Sequence, residues 1–195
     1  MKPKLFCVPG AAFRTPDWSR SYQYGWDSPC ADIKRHGVFD KSITQRYCCV
    51  MIPPLDPLTG YLPQGVHPAS WQEVFAVFSG NGHRQWLLEG LAAALENLAT
   101  AGCRTVLLDG SFISQKQLPS DYDGAWDTFG VDPDLLDPVL LDFSNQRSAM
   151  KLKYGGELFP ASGLAAPGVT YREFFQSDRN GVPKGVVELN LRSLP

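Results

Sequence analysis

From Ser70 onward the chain passes through stretches of helical and of strand periodicity. Trp71, Val74, Phe75 and Phe78 recur at helical spacing and give the apolar face of a short helix. Ser70 is its expected N-cap, and Glu73 three residues on completes a capping box. Gly80-Asn81-Gly82 ends it. A second helix is expected from about His83 to Ala101, with Trp86, Leu87, Gly90, Leu91, Ala94, Leu95 and Leu98 on its stripe and Gly102 at the C′ position. The pattern then changes. Arg104-Thr105-Val106-Leu107-Leu108 reads as a buried strand that runs to Asp109 and ends in a Gly110-Ser111 turn. A polar stretch from Ser114 to Ser120 leads to a second strand, roughly Tyr122 to Trp126.

Beyond Gly130, Asp132 is an expected N-cap with Pro133 at N1. That predicts a helix, interrupted near Pro138, through Leu141. A further helix from Ser144 would carry Arg147, Lys151 and Lys153 and end at Gly155-Gly156. Residues 161–168 read as a small-residue loop, Tyr171 to Phe175 as a short helix, and Asp178-Arg179-Asn180-Gly181 as a turn. Gly185 to Leu191 is the last strand. Residues 51–69, with Pro53, Pro54, Pro57, Pro63 and Pro68, form an extended lead-in rather than a helix. The order is helix, helix, strand, strand, helix, helix, strand, with no internal repeat. It predicts an α/β (α+β) fold: a small mixed β-sheet with helices packed on it, in a domain spanning 70–195.

Residues 1–50 behave differently, since nothing in them sustains either period. They hold eight of the 18 Lys and Arg but four of the 20 Asp and Glu, so this segment is about +4 and the remainder about −6. Four of the five cysteines (Cys7, Cys30, Cys48, Cys49) also precede Met51. Their spacings contain no Cys-x2-Cys pair and His36 has no partner at helical spacing, which argues against zinc. This break leads us to expect an irregular extension over 1–50 and a natural start at Met51. The net charge of −2 argues against broad DNA binding. No apolar run approaches a membrane span and no signal-peptide core is visible, so the expected compartment is the cytoplasm, with no membrane partner.

The chemistry concentrates between Asp109 and Asp123. A small residue after Gly110 lets a phosphate approach the backbone, and Ser111 can donate its hydroxyl and N–H to it. Asp121 and Asp123 stand two apart, so in a strand they share a face. Two carboxylates on one face repel unless a cation lies between them. A divalent ion that also holds phosphate is the economical explanation. Asp-Gly-Ser alone is an ordinary turn, as is Asp-Tyr-Asp-Gly. What carries weight is the combination of strand, Gly-Ser, ten residues and a second strand through the aspartates.

That combination resembles the nucleotidyltransferase superfamily, whose signature maps onto Gly110, Ser111, Asp121 and Asp123; Asp109 replaces the usual apolar residue before the glycine. Residues 51 to 195 are more specifically similar to an uncharacterised bacterial and phage family of nucleotidyltransferase-like proteins. The matching phrases are Asp109-Gly110-Ser111-Phe112, Pro119-Ser120-Asp121-Tyr122-Asp123-Gly124, Leu140-Leu141-Asp142-Phe143, Tyr154-Gly155-Gly156-Glu157-Leu158-Phe159 and Lys184-Gly185. The resemblance implies transfer of a nucleoside monophosphate from an NTP to a protein or RNA hydroxyl. Asp121 and Asp123 would hold Mg²⁺ or Mn²⁺. It also implies a toxin–antitoxin or phage-defence setting, with tRNA or a protein encoded nearby as partner. The alternative is an inactive, antitoxin-like module on the same fold.

The resemblance further implies a third carboxylate on an adjacent strand, as base or metal ligand. Glu188 in the last strand and Asp142 after an apolar run are the candidates, with Asn190 on the face of Glu188 a weak ligand. The remaining possibility is that there is none. Arg147 and Lys151, four apart on one helix face, and Lys116 on the loop before the aspartates are the candidate phosphate contacts; each could equally be a solvated charge. Among other readings, the seven carboxylates from Asp121 to Asp142 fail the calcium-loop pattern, because Ala125 and Trp126 stand where a ligand and glycine are needed. Asp132, Asp134 and Asp137 read as helix-start residues, His67 and His83 as structural or surface residues, and Cys103 as core. Ser111 lacks the Gly-x-Ser-x-Gly context of an acyl-transfer nucleophile.

Overall fold

In the computed structural model, residues 52–194 are described. The expectations for residues 1–50, the cysteines there and the start at Met51 lie outside them. Helix α1 spans Trp71–Phe78, with the Ser70/Glu73 capping box formed in both directions. Such a cap contributes about 1 kcal/mol. Helix α2 spans Gly82–Thr100 and is capped by Asn81, whose side chain accepts from the Arg84 N–H. Its buried face is Leu87, Leu88, Leu91, Ala94, Leu95 and Leu98. Trp86, expected on that stripe, is instead 52% exposed.

Strands β1 (Gly65–Ala69), β2 (Thr105–Asp109), β3 (Tyr122–Trp126), β4 (Gly156–Pro160) and β7 (Gly185–Asn190) form one mixed sheet in the order β1-β7-β2-β3-β4. β2 is antiparallel to both neighbours, while β1–β7 and β3–β4 are parallel. Two of these strands lay outside the sequence expectation. β1 falls in the proline-rich lead-in, and Pro68 is tolerated there because β1 is an edge strand. β4 follows directly on Gly155, whose φ of 77° turns the chain out of the preceding helix. β5 (Leu164–Ala166), inside the expected loop, and β6 (Val169–Thr170), just beyond it, add a small hairpin, followed by helix α4 (Tyr171–Phe174).

Two expected helices are shorter or absent. Over 132–141 the chain forms two 3-10 turns, Pro133–Leu135 and Pro138–Leu141, each started by an aspartate side chain that accepts a backbone N–H two residues on. The prolines and these local bonds compete with a continuous helix. Helix α3 begins at Ser148, not Ser144, and runs to Tyr154. Asn145, Gln146 and Arg147 before it all take positive φ, 45°, 56° and 59°.

The sheet has two unlike faces. Val106, Leu108, Tyr122, Trp126, Leu158, Val187 and Leu189 face the main core with α1, α2 and Met150 and Tyr154 of α3. Six fully or nearly fully buried apolar side chains along α2, at about 1.5–3 kcal/mol for each large one, make this the dominant stabilising layer. Gly90 lets α3 approach: a Cβ there would lie 2.0 Å from the Tyr154 carbonyl oxygen. The other face carries a smaller cluster, Leu107, Ala125, Phe159, Ala161, Phe175 and Val186, and beside it a row of acids. No described helix is long and apolar enough to cross a membrane.

Candidate active site

The row is set by register. Asp109 at the end of β2 pairs with Asp123 in β3, and Asp123 pairs with Glu157 in β4. Side chains directly across neighbouring strands lie on one face, so the three carboxylates stand side by side. Asp121, just before β3, joins them through its charge on Asp123. Gly110 follows with φ 82° and ψ −167°, and a Cβ there would meet Asp123 Oδ2 at 2.2 Å. The glycine is therefore required twice, for its backbone and for the room it leaves the aspartate. Ser111 opens a 3-10 turn, Ser111–Ile113, anchored by Arg84, whose guanidinium donates to the carbonyls of Phe112, Ser114 and Lys116.

Three cations answer the four acids. Lys151 Nζ bridges Asp121 Oδ2 at 2.9 Å and Glu157 Oε1 at 2.5 Å. Arg147 Nε lies 2.8 Å from Glu157 Oε2, an ion pair without the alignment of a hydrogen bond. Lys184 Nζ donates to Asp109 Oδ1 at 2.5 Å and is itself only 12% exposed. Burial, then the neighbouring charges of Asp121, Glu157 and Asp109, push the Asp123 carboxyl up to about 7. Burial also raises Asp109, against the pull of Lys184. Burial acts to raise Asp121 as well, but hydrogen bonds from Lys151 and Ser120 outweigh it and leave this carboxyl below its usual range. Lys151 is raised by its bonds to Glu157 and Asp121.

The structure thus brings together Gly110, Ser111, Asp121, Asp123, Arg147 and Lys151. Lys116 is exposed on the loop, close enough for its charge to act on Asp121. Glu188 shares the face of the acid row but stands one row away, opposite Leu107, with Arg172 Nη2 3.5 Å from its Oε2. Asn190 lies further along β7, opposite Thr105. Asp142 follows a 3-10 turn rather than sitting in a helix, and its side chain accepts the Ser144 N–H. The row's acids on the strands flanking Asp-x-Asp are Asp109 on β2 and, on the other side, Glu157 on β4. Glu157 was missed in the sequence because Gly155-Gly156 reads as a helix end, which hides the strand that follows. Asp109 and Lys184 were also passed over as site residues, although each lies in a family phrase. The only signal for their pairing is a lysine before one strand and a carboxylate closing another.

The donor chemistry of the row, hard carboxylate oxygens crowded together on one face of the sheet, fits a divalent cation. Among the described residues, however, no three His, Cys, Asp or Glu side chains are arranged to hold a metal, and Lys151 occupies the position between Asp121 and Glu157. The remaining expectations are structural. His83 Nε2 meets the Pro119 carbonyl oxygen at 2.5 Å and His67 Nε2 that of Pro63 at 2.6 Å. Cys103 is buried, and burial pushes its thiol up to about 11, so it is no nucleophile. A family of unknown function (DUF6932) matches residues 53–190. No curated protein and no solved structure matches the chain.

Proposed function

The chain belongs to this family of unknown function (DUF6932), and on the geometry of its acid row we propose that it is a Mg²⁺-dependent nucleotidyltransferase acting on a protein or RNA hydroxyl. The observation that carries the reading is the cross-strand row Asp109–Asp123–Glu157, with Asp121 beside it and the Gly110-Ser111 turn at its edge. Asp121 and Asp123 would hold the cation, which when bound supplies charge to the phosphates and lowers the pKa of the acceptor hydroxyl. Gly110 leaves the backbone open to phosphate, and Ser111 donates to it. Arg147 and Lys151 neutralise phosphate oxygens, with Lys116 closing from the loop. The acceptor oxygen attacks the α-phosphorus, the bond to the β-phosphate oxygen breaks, and pyrophosphate leaves. Glu157 accepts the hydroxyl proton, in the place that Glu188 or Asp142 was expected to fill. The cytoplasmic setting and a nearby-encoded protein or tRNA as acceptor are part of the same proposal.

A second reading is favoured by one observation. Lys151 pairs with both Asp121 and Glu157, and a lysine that neutralises two of the acids suits a site retained for binding alone. The experiment that separates the two is incubation with α-labelled ATP, CTP, GTP or UTP, Mg²⁺, and either total RNA or the product of the adjacent gene. Label transfer that disappears in Asp121→Ala/Asp123→Ala supports the enzyme. Nucleotide binding without transfer to either acceptor supports the inactive module.

A further inference from the structure

Phe143 is 43% exposed, yet its ring lies near-parallel to that of Phe159, at 16° and 6.1 Å between centroids. Phe159 is two residues beyond Glu157 on β4, hence on the same face and about 7 Å along the strand. Tyr171 stacks on Phe159 at 4.1 Å and 15°. The ladder of rings therefore begins where the acid row ends. Arg147 joins the two: its Nε meets Glu157, and its guanidinium lies 5.3 Å from the Phe159 centroid. Between Phe143 and Arg147 the chain places Asn145 and Gln146, both exposed and both at positive φ, as is Arg147. Three consecutive non-glycine residues in the left-handed region are disfavoured, and such strain persists where the surroundings impose it.

A flat aromatic ring, exposed amides and a cation at the edge of a phosphate site are complementary to a nucleoside. An apolar peptide would use the ring but not the amides or the charge. Phe143 stands 6.1 Å from Phe159, which is itself about 7 Å along β4 from Glu157, so ring and acid row are neighbours. Resting on the nucleotidyltransferase reading above, we infer that Phe143 is the stacking platform for the base of the donor NTP, with Asn145 and Gln146 at the edge of that base.

The test is calorimetric binding to the full chain in Mg²⁺, with the four NTPs and inorganic tripolyphosphate as separate probes. Phe143→Ala should weaken the preferred NTP roughly tenfold, within the range known for base–aromatic stacking, and leave tripolyphosphate unchanged. Phe143→Trp should restore the difference. Asn145→Ala and Gln146→Ala should alter the ranking among the four NTPs. Thermal melts establish that each variant is folded. The inference is overturned if Phe143→Ala binds the NTP as the parent does or loses NTP and tripolyphosphate equally. It is also overturned if the variant weakens only a single-stranded oligoribonucleotide, which would assign the ring to the acceptor. If the parent binds neither NTP nor tripolyphosphate, the nucleotidyltransferase reading itself fails.

Discussion

At Gly110 the backbone takes φ 82° and ψ −167°, a region that side-chain-bearing residues avoid at a cost of about 1–3 kcal/mol. A methyl group there would also reach 2.2 Å from Asp123 Oδ2. Gly110→Ala should lower the melting temperature by about 2–4 °C per kcal/mol lost in a chain of this size, and displace Asp123 from the row. A calorimetric melt checks the first effect and NTP binding the second. Asp123 makes a separate prediction. Its carboxyl is raised to about 7 from an ordinary value of 3.8, so the folded state holds this proton more tightly than the unfolded chain does. The resulting stability is fully present below pH about 3.8 and is lost as pH rises through about 7. Asp123→Asn, which cannot ionise, should therefore gain stability relative to the parent as pH rises from about 3.8 to about 7. Denaturant midpoints across that window measure it, and a constant difference would contradict the cause assigned here.

Among the elements, α3 and β4 decide what the acids face. α3 presents Arg147 and Lys151 to Glu157, and Gly90 on α2 lets it pack closely enough to do so. With Lys151→Met the ammonium between Asp121 and Glu157 is gone. Mn²⁺ should then bind up to roughly fivefold tighter, the scale of a partly exposed ion pair, while an NTP binds more weakly. Titration followed by Mn²⁺ spin resonance gives the first value; unchanged or weaker Mn²⁺ binding would show that the lysine does not compete for the site. These two elements also mark the limit of what the residue pattern reveals. α1, α2, β2 and β3 are local events, each announced by caps and by a period of burial. Glu157 belongs to a strand hidden behind a glycine pair, and its place beside Asp123 comes from parallel pairing of segments more than thirty residues apart. Pro138 and the local bond to the Asp137 side chain cut short the helix that the Asp132 cap and Pro133 announced. The proline-rich lead-in concealed β1, because a parallel edge strand needs few ladder bonds of its own.

For the described molecule as a whole, the sheet separates two tasks. One face, under α1, α2 and α3, is apolar and supplies the stability. The other gathers Asp109, Asp121, Asp123 and Glu157 against Lys151, Arg147 and Lys184, which leaves one uncompensated negative charge when every group is ionised. Crowding of like charges is costly, and crowded carboxylates are what a site for a divalent ion and a triphosphate needs. On this reading the row binds a Mg²⁺–nucleoside triphosphate. Isothermal calorimetry with ATP, CTP, GTP and UTP at millimolar Mg²⁺ measures it most directly. At least one NTP should bind saturably, and binding should be abolished in a folded Asp121→Ala/Asp123→Ala variant and by removal of Mg²⁺. No binding of any of the four, or binding that the double variant retains, would contradict it.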